Sequence, residues 1–111
     1  MANSRFGYVK QFEQEEIALP QTFMVVRIDG RGFTKFCQSM EMEKPNDLRG
    51  INLMNKAAEH VMQNFKDITL AYGDSDEYSF VFRKNAKLFN RRKDKIISCL
   101  VSLFSSAYIF Y

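Results

Sequence analysis

Residues 68–82 contain the feature that most restricts the fold, a short acidic turn between two strand-like runs. Residues 68–72 and 78–82 are rich in β-branched and aromatic side chains, and residues 73–77 read Gly-Asp-Ser-Asp-Glu. This pattern predicts a β-hairpin, because Gly, Asp and Ser are residues that turns favour. The chain is therefore expected to contain an antiparallel sheet with an acidic turn at one end.

The residues before the hairpin predict another strand and a long helix. Residues 23–28 form a compact apolar run that is typical of a central strand, and the run ends at Asp29-Gly30. Short helices are expected on either side of it, over residues 6–12 and 33–40. The segment Pro45-Asn46-Asp47 indicates the start of a longer helix, whose apolar residues recur at steps of three and four.

The residues after the hairpin combine a basic segment with a final apolar helix. Seven basic residues and one acidic residue lie between Arg83 and Lys95, although the whole chain carries only +3. Such a stretch favours phosphate-bearing partners, and a solvated basic surface is the ordinary alternative. A helix from about Ala86 would place Arg91 and Arg92 on the same face as Lys95, where they could hold a triphosphate.

The order of elements is β-α-β-β-α, which predicts an α+β fold with a ferredoxin-like core that lacks its last strand at the C-terminus. The 111 residues, 46% of them hydrophobic, suit a single domain over residues 1–111. We expect this domain to be the N-terminal part of a longer one, either as a fragment or as a truncated gene product.

Two carboxylates are candidate ligands for a divalent cation. Asp29 follows a strand and Asp76 lies in a turn that could pair beside it, so their mutual repulsion would be relieved by Mg²⁺, which prefers oxygen ligands. The Gly30 carbonyl is a further candidate, because glycine allows close approach of the backbone. Polymerase palms and nucleotide cyclases present carboxylates in this way, whereas an ordinary charged turn is the structural alternative.

Other classes of site and location are not favoured by the sequence. Cys37, Cys99 and His60 lack the spacing of a metal site, and two sparse cysteines are typical of reduced thiols in an intracellular protein. The N-terminus has no apolar run, so no signal peptide is expected. Residues 96–111 are apolar, but four serines interrupt them and they are shorter than the roughly 18 residues that suggest a membrane span.

Five segments together closely resemble the tRNA-histidine guanylyltransferase family in its eukaryotic, fungal form. They are residues 1–13, 25–33, 44–47, 71–80 and 89–95, and the resemblance covers essentially the whole chain. A single Asp-Gly or Ser-Asp-Glu would be weak, but the joint occurrence is specific. The resemblance implies that the ferredoxin-like core is a polymerase-palm core. It also implies a Mg²⁺-dependent nucleotidyltransferase that adds a guanylate to the 5′ end of tRNA-His.

The resemblance also implies the cofactors and partners of the reaction. Two Mg²⁺ ions per site would be bound; ATP would activate the 5′ monophosphate of tRNA-His, and the 3′-OH of GTP would then attack and release AMP. A final step would remove pyrophosphate. The protein would be a cytoplasmic homo-oligomer, a tetramer built from dimers, with the nucleus as the alternative location and no membrane association.

Site residues follow from the resemblance, position by position. Its catalytic residues would be Asp29, Asp76 and Glu77, and its metal ligands Asp29, Gly30 and Asp76. The nucleotide-binding positions would be Asp29, Gly30, Arg31, Gly32, Phe33, Thr34, Ser75 and Asp76, and the triphosphate-binding pair would be Arg92 and Lys95. Positions for activation or tRNA handling would be Arg27, Lys44, Asn46 and Asp47.

The chain departs from the family pattern in two places. Many members have a histidine where this chain has Thr34, and a hydroxyl cannot stack on a base as an imidazole does. Members also continue past residue 111 with a His-Ile-Asn-Asn-like segment. Two other functions therefore stay open: a truncated, non-catalytic paralogue that binds nucleotide or tRNA through phosphate contacts, and a cyclase-like signalling domain.

Overall fold

A three-stranded antiparallel sheet and two long helices make up most of the structure. The computed structural model describes residues 5–12, 14, 16–32, 35 and 48–111. The strands are β1 (Met24–Asp29), β2 (Ile68–Asp74) and β3 (Glu77–Phe82), and the long helices are α1 (Leu48–Asn64) and α2 (Lys93–Phe110). Two shorter 3₁₀ segments are Gly7–Phe12 and Leu88–Arg91.

The strand order is β1-β3-β2, and β3 is antiparallel to both of its neighbours. The outer strands β1 and β2 are therefore parallel to each other, and the chain passes between them through α1. This arrangement, in which a third strand is inserted between the parallel pair, is the split βαβ unit that the element order predicts.

Side chains alternate between the two faces of the sheet. The face toward the helices, called the helix face, carries Met24, Val26 and Ile28 of β1 opposite Phe82, Phe80 and Tyr78 of β3. The other face, called the open face, carries Val25, Arg27 and Asp29 opposite Val81, Ser79 and Glu77. The period of two along each strand fixes this division.

The helix face packs against one side of each long helix. The buried residues are Met54, Ala57, Ala58 and Val61 in α1 and Ile96, Leu100, Phe104 and Ala107 in α2. Steps of three and four between them are those of an amphipathic helix. The centroid of the Phe104 ring lies 6.1 Å from that of Tyr78 and 6.2 Å from that of Phe80, so aromatic contacts hold α2 against β3.

The predicted elements agree with the structure except at two places. The first strand, the hairpin and the long helix after residues 45–47 are confirmed, and the predicted N-terminal helix is the 3₁₀ segment Gly7–Phe12, which buries no residue. The final apolar helix is confirmed as α2, but it begins at Lys93, so a helical start at about Ala86 is wrong. The hairpin turn is also shorter than residues 73–77, because Asp74 and Glu77 already pair and only residues 75 and 76 lie between them.

The predicted helix over residues 33–40 lies outside the described residues except for Lys35. In the part of the chain that is described, no helix combines the length and the apolar character needed to cross a bilayer.

Arg91 occupies a buried position in which all five of its N–H donors meet backbone carbonyls. Nε donates to Ala18 at 3.5 Å, Nη1 to Lys84 at 3.1 Å and Ala86 at 3.0 Å, and Nη2 to Leu19 at 2.8 Å and Thr22 at 2.9 Å. Only 7% of the residue is exposed. The guanidinium thus joins the segment before β1 to the segment before α2, and it is not available on the same surface as Lys95, as the sequence had suggested.

The backbone around Arg91 is strained to reach this position. Phe89, Asn90 and Arg91 have φ values of 49°, 53° and 61°, a left-handed turn made without glycine. Left-handed geometry costs about 1–2 kcal/mol for each such residue. Hydrogen bonds to a charged group contribute about 1.5–3 kcal/mol each, so the buried contacts offset the strain. The Ala18 N–H also donates to the Arg91 carbonyl at 2.9 Å.

We expect Arg91→Lys to lower the free energy of unfolding by about 3–5 kcal/mol, because it leaves a buried charge with too few partners. Lysine has three donors on one atom, and it cannot reach five carbonyls that surround a planar fork. Urea denaturation measures the loss. The matched control is Arg83→Lys, which alters an exposed arginine paired with Asp67 and should cost less than about 1 kcal/mol. Equal losses in the two variants would contradict the assigned role of Arg91.

Candidate functional site

Three carboxylates lie side by side across the end of the open face. Asp29 of β1 and Asp74 of β2 are both register partners of Glu77, which lies between them on β3. Neighbouring strands are about 4.8 Å apart, and like charges directly opposite one another destabilise a sheet. This row, called the acid row, is therefore a concentrated negative charge whose repulsion a bound cation would relieve.

A backbone hydrogen bond brings Asp29 and Asp76 together. The Gly30 N–H donates to the Asp76 carbonyl at 2.9 Å, so the residue after β1 is attached to the hairpin turn. The two carboxylates that the sequence predicts as metal ligands are consequently held on adjacent segments, although 47 positions separate them in the chain. The Gly30 backbone therefore lies beside Asp76, and the roles of Asp29, Gly30 and Asp76 as metal ligands stay predictions.

The hairpin turn contains a residue in a strained conformation. Ser75 has φ 58°, a left-handed value that favours glycine, whereas the other turn residue, Asp76, does not have positive φ. Strained backbone of this kind costs about 1–3 kcal/mol and is often found at functional sites. Ser75 and Asp76 are both predicted nucleotide-binding positions, and here they form the entire turn.

Gly73 allows the turn to lie close to the core. A Cβ on Gly73 would be only 2.6 Å from Cε2 of Tyr78, the residue opposite it on β3. The Tyr78 ring therefore covers the glycine, and its O–H donates to Asn55 Oδ1 of α1 at 2.8 Å. Burial raises the pKa of the Tyr78 phenol, and the negative charge of Glu59 adds to the rise.

Arg27 partly balances the acid row. Its Nε lies 3.7 Å from Glu77 Oε2, and both residues belong to the open face. Because the Arg27 side chain is largely exposed, this ion pair contributes little to stability. Its effect is to orient Glu77 and to place a positive charge directly beside the carboxylates.

The residues present fit a magnesium ion that is only partly enclosed by protein. Asp29 is exposed and Asp76 is half-buried, so an ion between them would keep water or phosphate ligands, as Mg²⁺ usually does. No group of three or more His, Cys, Asp or Glu within the described ranges is arranged to hold a metal ion. The described carboxylates therefore do not enclose an ion by themselves, and an ion held there would need further oxygen ligands.

The predicted triphosphate pair lies away from the acid row. Arg92 immediately precedes α2 and pairs through its backbone with Ile17, and the Lys95 Nζ lies 5.1 Å from the centroid of the Phe89 ring. Neighbouring Lys93 and Ile96 line a pocket of about 270 Å³ with residues 22–26, at the start of β1. Asp29 is at the other end of β1, five residues or about 17 Å from Met24.

The remaining predicted residues divide into two groups. Arg31 and Gly32 come directly after β1 and are exposed. Gly32 has φ 62°, which its lack of a Cβ permits. Phe33, Thr34, Lys44, Asn46 and Asp47 lie outside the described residues.

Two residues of the site had no predicted role. Asp74 belongs to the acid row because β2 extends to it, and Tyr78 fixes Gly73 from the helix face. The signal for Asp74 was present in the sequence, since a two-residue turn at residues 75–76 would have paired Asp74 with Glu77. The length of the turn was not recognisable because Gly73 resembles a turn residue, whereas it is a strand residue under an aromatic ring.

A family model described as tRNAHis guanylyltransferase matches residues 6–111. The chain belongs to this family. The tRNA(His) guanylyltransferase of Schizosaccharomyces pombe is 58% identical over 110 residues, which are 99% of this chain and 42% of the relative. That of Neurospora crassa is 59% identical over 111 residues, 100% of this chain and 38% of the relative. The chain thus spans about two fifths of the length of these guanylyltransferases.

Solved structures agree with the fold. The crystal structure of tRNA(His) guanylyltransferase from Saccharomyces cerevisiae matches with a TM-score of 0.89 and 48% identity, over 95% of this chain and 46% of that one. A bacterial tRNA(His) guanylyltransferase-like protein in complex with GTP matches with a TM-score of 0.79 and 23% identity, over 92% and 49% of the two chains. The predicted family and the α+β fold class are confirmed.

We expect Gly73→Ala to lower the free energy of unfolding by about 1–3 kcal/mol, the usual cost of forcing extra volume into a packed site. The added methyl would displace the Tyr78 ring and weaken its bond to Asn55. Thermal denaturation measures the effect. Gly7→Ala is the control, since a Cβ there meets nothing within 4 Å, and a similar loss at both glycines would contradict the proposed contact.

The raised pKa of Tyr78 predicts a loss of stability in alkali. The Tyr78 phenol has a pKa of about 10 in the unfolded chain, so as the pH rises it loses its proton there before it does in the folded chain. The contribution of Tyr78 to the free energy of unfolding is therefore full below that pH and is lost as the pH rises through the pKa of the folded state. The difference in unfolding free energy between the unaltered chain and Tyr78→Phe should therefore shrink from about pH 9 to about pH 11. A difference for Tyr78→Phe that stays constant over this pH range would rule out the effect.

Proposed function

We propose that this chain carries the metal-binding part of a Mg²⁺-dependent tRNA-His guanylyltransferase, which adds a guanylate to the 5′ end of tRNA-His with ATP and GTP as substrates. The observation that carries the proposal is the Gly30 N–H bond to the Asp76 carbonyl, which attaches the residue after Asp29 to the turn residue Asp76 in a chain of this family. The acid row on the exposed sheet face supports it, since a phosphate-bearing substrate with its metal ions could reach this face directly.

The residues of the chain would divide the work between holding and orienting. Asp29, Asp76 and the Gly30 carbonyl would hold two Mg²⁺ ions, which when bound offset the negative charge of phosphates and favour attack by a hydroxyl or phosphate oxygen. Glu77 would contribute further negative charge, oriented by Arg27 at 3.7 Å. Ser75 and Asp76 would present the backbone of a strained turn to the nucleotide.

The reaction would proceed in three transfers. The 5′ monophosphate of tRNA-His would attack the α-phosphorus of ATP and release pyrophosphate, which leaves an adenylylated RNA end. The 3′-OH of GTP would then attack the RNA 5′ phosphorus and release AMP. Hydrolysis would finally remove pyrophosphate from the added nucleotide. Catalysis of such transfers depends mainly on position and charge, which is what the acid row offers.

Arg92 and Lys95 would bind phosphates at a second place. Their separation from the acid row argues against a role on the same phosphates in the same chain, whereas a reaction with two triphosphates and an RNA needs more than one phosphate site. Lys93 and Lys95 lie in the first turn of α2, so the positive end of the helix dipole adds to their charge.

The homo-oligomer and the cytoplasmic location remain proposals from the resemblance. Several large apolar side chains on α2 are exposed, among them Ile97, Val101, Ile109 and Phe110, and burial of this surface against another subunit would support the oligomer.

The test is transfer of guanylate to 5′-monophosphorylated tRNA-His, assayed with labelled GTP in the presence of ATP and Mg²⁺. The protein to assay is a chimera in which this chain replaces the matching residues of the Schizosaccharomyces pombe relative. Asp29→Asn and Asp76→Asn should each lower the rate at least about a hundredfold, because metal ions stabilise transition-state charge by several kcal/mol. Chelation of Mg²⁺ should have the same effect.

The matched control is Glu59→Gln, which removes one exposed negative charge on α1, away from the open face, and should leave the rate nearly unchanged. Full activity in the Asp29→Asn, Asp76→Asn double variant would show that the metal assignment is wrong. Binding of tRNA by the chimera without any transfer would instead favour the non-catalytic nucleotide- or tRNA-binding function.

A further inference from the structure

A second row of side chains crosses the open face beside the acid row. Arg27 and Tyr72 are both register partners of Ser79, which lies between them on β3. Tyr72 is 55% exposed, whereas Ser79 is only 5% exposed. Two long side chains thus stand on either side of a small one, and the space between them above Ser79 is called the slot. The low exposure of Ser79 means that the slot is closed in this structure and that the two exposed side chains would have to part to admit a ligand.

The width of this slot suits a flat ring. The outer strands β1 and β2 are two strand spacings apart, or about 10 Å between their backbones. A planar group in van der Waals contact on both faces needs about 7–8 Å between its neighbours. The side chains of Arg27 and Tyr72 can lean by this small difference, since both are exposed.

The walls of the slot have the right chemistry for a nucleobase. A phenol ring and a guanidinium are both flat, and both stack on bases without selecting a particular one. Among the described residues, Tyr72 has no polar partner that would fix its ring elsewhere. The next row along the open face is apolar, with Val25, Val81 and Leu70 in register, and would contact the edge of a base or the carbons of a ribose.

The position of the slot relates it to the acid row. Tyr72 and Arg27 are each two residues from the acid row along their strands, a displacement of about 7 Å. That displacement is comparable with the separation of a base from its own 5′ phosphate. A nucleotide whose phosphate lay at the acid row would therefore extend its base over Ser79.

We propose that Tyr72 and Arg27 form a stacking slot, with Ser79 as its floor, for the nucleobase of the nucleotide whose phosphate is held at the acid row. The proposal rests on the proposed function for the identity of that phosphate. Tyr72 is then a positioning residue, since it contacts the base and not the reacting phosphorus. The base can belong to a free nucleoside triphosphate or to the 5′-terminal nucleotide of the RNA, which present the same chemistry.

The experiment compares Tyr72→Ala and Tyr72→Phe with Tyr8→Ala, which removes a similarly exposed tyrosine from Gly7–Phe12. Affinity of the full chain is measured for GTP with Mg²⁺, and for a 5′-phosphorylated RNA with and without a base on its first nucleotide. Tyr72→Ala should weaken binding of at least one intact ligand by about fivefold to a hundredfold, the range that base–aromatic stacking gives. Tyr72→Phe and Tyr8→Ala should bind as the unaltered chain does, and thermal denaturation should show all variants folded.

The two ligands identify which base occupies the slot. A loss for GTP alone assigns it to the free nucleotide, and a loss for the RNA that disappears when the first base is absent assigns it to the RNA end. No loss for either ligand, or an equal loss for the abasic RNA, overturns the slot. Guanylate transfer by the chimera distinguishes the two proposals. If transfer occurs and Tyr72→Ala leaves it unchanged, only the slot is contradicted. If no transfer occurs but binding still depends on Tyr72, only the proposed function is contradicted.

Discussion

The buried guanidinium of Arg91 is the interaction on which the arrangement of the other elements depends. No carboxylate of the described residues pairs with it, and the dipoles of five carbonyls from two separate segments surround it instead. Those segments lead into β1 and into α2, so their mutual position sets where the edge strand meets the helix layer. The left-handed turn at residues 89–91 is held in place by the same contacts. The Arg91 side chain therefore both holds the left-handed turn in place and fixes the segment before β1 against the segment before α2.

Local patterns predicted most of the fold, and long-range contacts account for the rest. The hairpin, the first strand and α1 were recognisable because the spacing of apolar residues within each short segment is typical of a strand or a helix. Arg91 was misread as part of a basic surface, since its carbonyl partners Ala18, Leu19 and Thr22 are about 70 positions away. The start of α2 was predicted too early for a related reason. The residues around Phe89 and Asn90 carry no pattern that predicts a left-handed turn.

Only part of the candidate site was predicted, because local patterns identify single residues whereas their positions relative to one another depend on long-range contacts. Asp29 and Asp76 were identified from their places at the end of a strand-like run and in an acidic turn, and the structure shows the backbone bond that joins these two segments. Asp74 was missed because its place in the acid row depends on strand register, which in turn depends on the Tyr78 ring over Gly73. Arg92 and Lys95 were predicted as a triphosphate-binding pair, and only the path of α2 shows that they lie near the end of β1 that is away from the acid row.

The alternation of side chains along β1 and β3 links the alignment of the acid row to the stability of the fold. If β1 slipped by one residue against β3, Asp29 would turn from the open face to the helix face, and Val25 would follow it. The slip would bury a carboxylate beside Tyr78 and expose Met24 and Ile28, at a cost that no other contact recovers. Chains with a misaligned acid row would then also be less stable, so the same alternation that buries the core keeps the three carboxylates in one row.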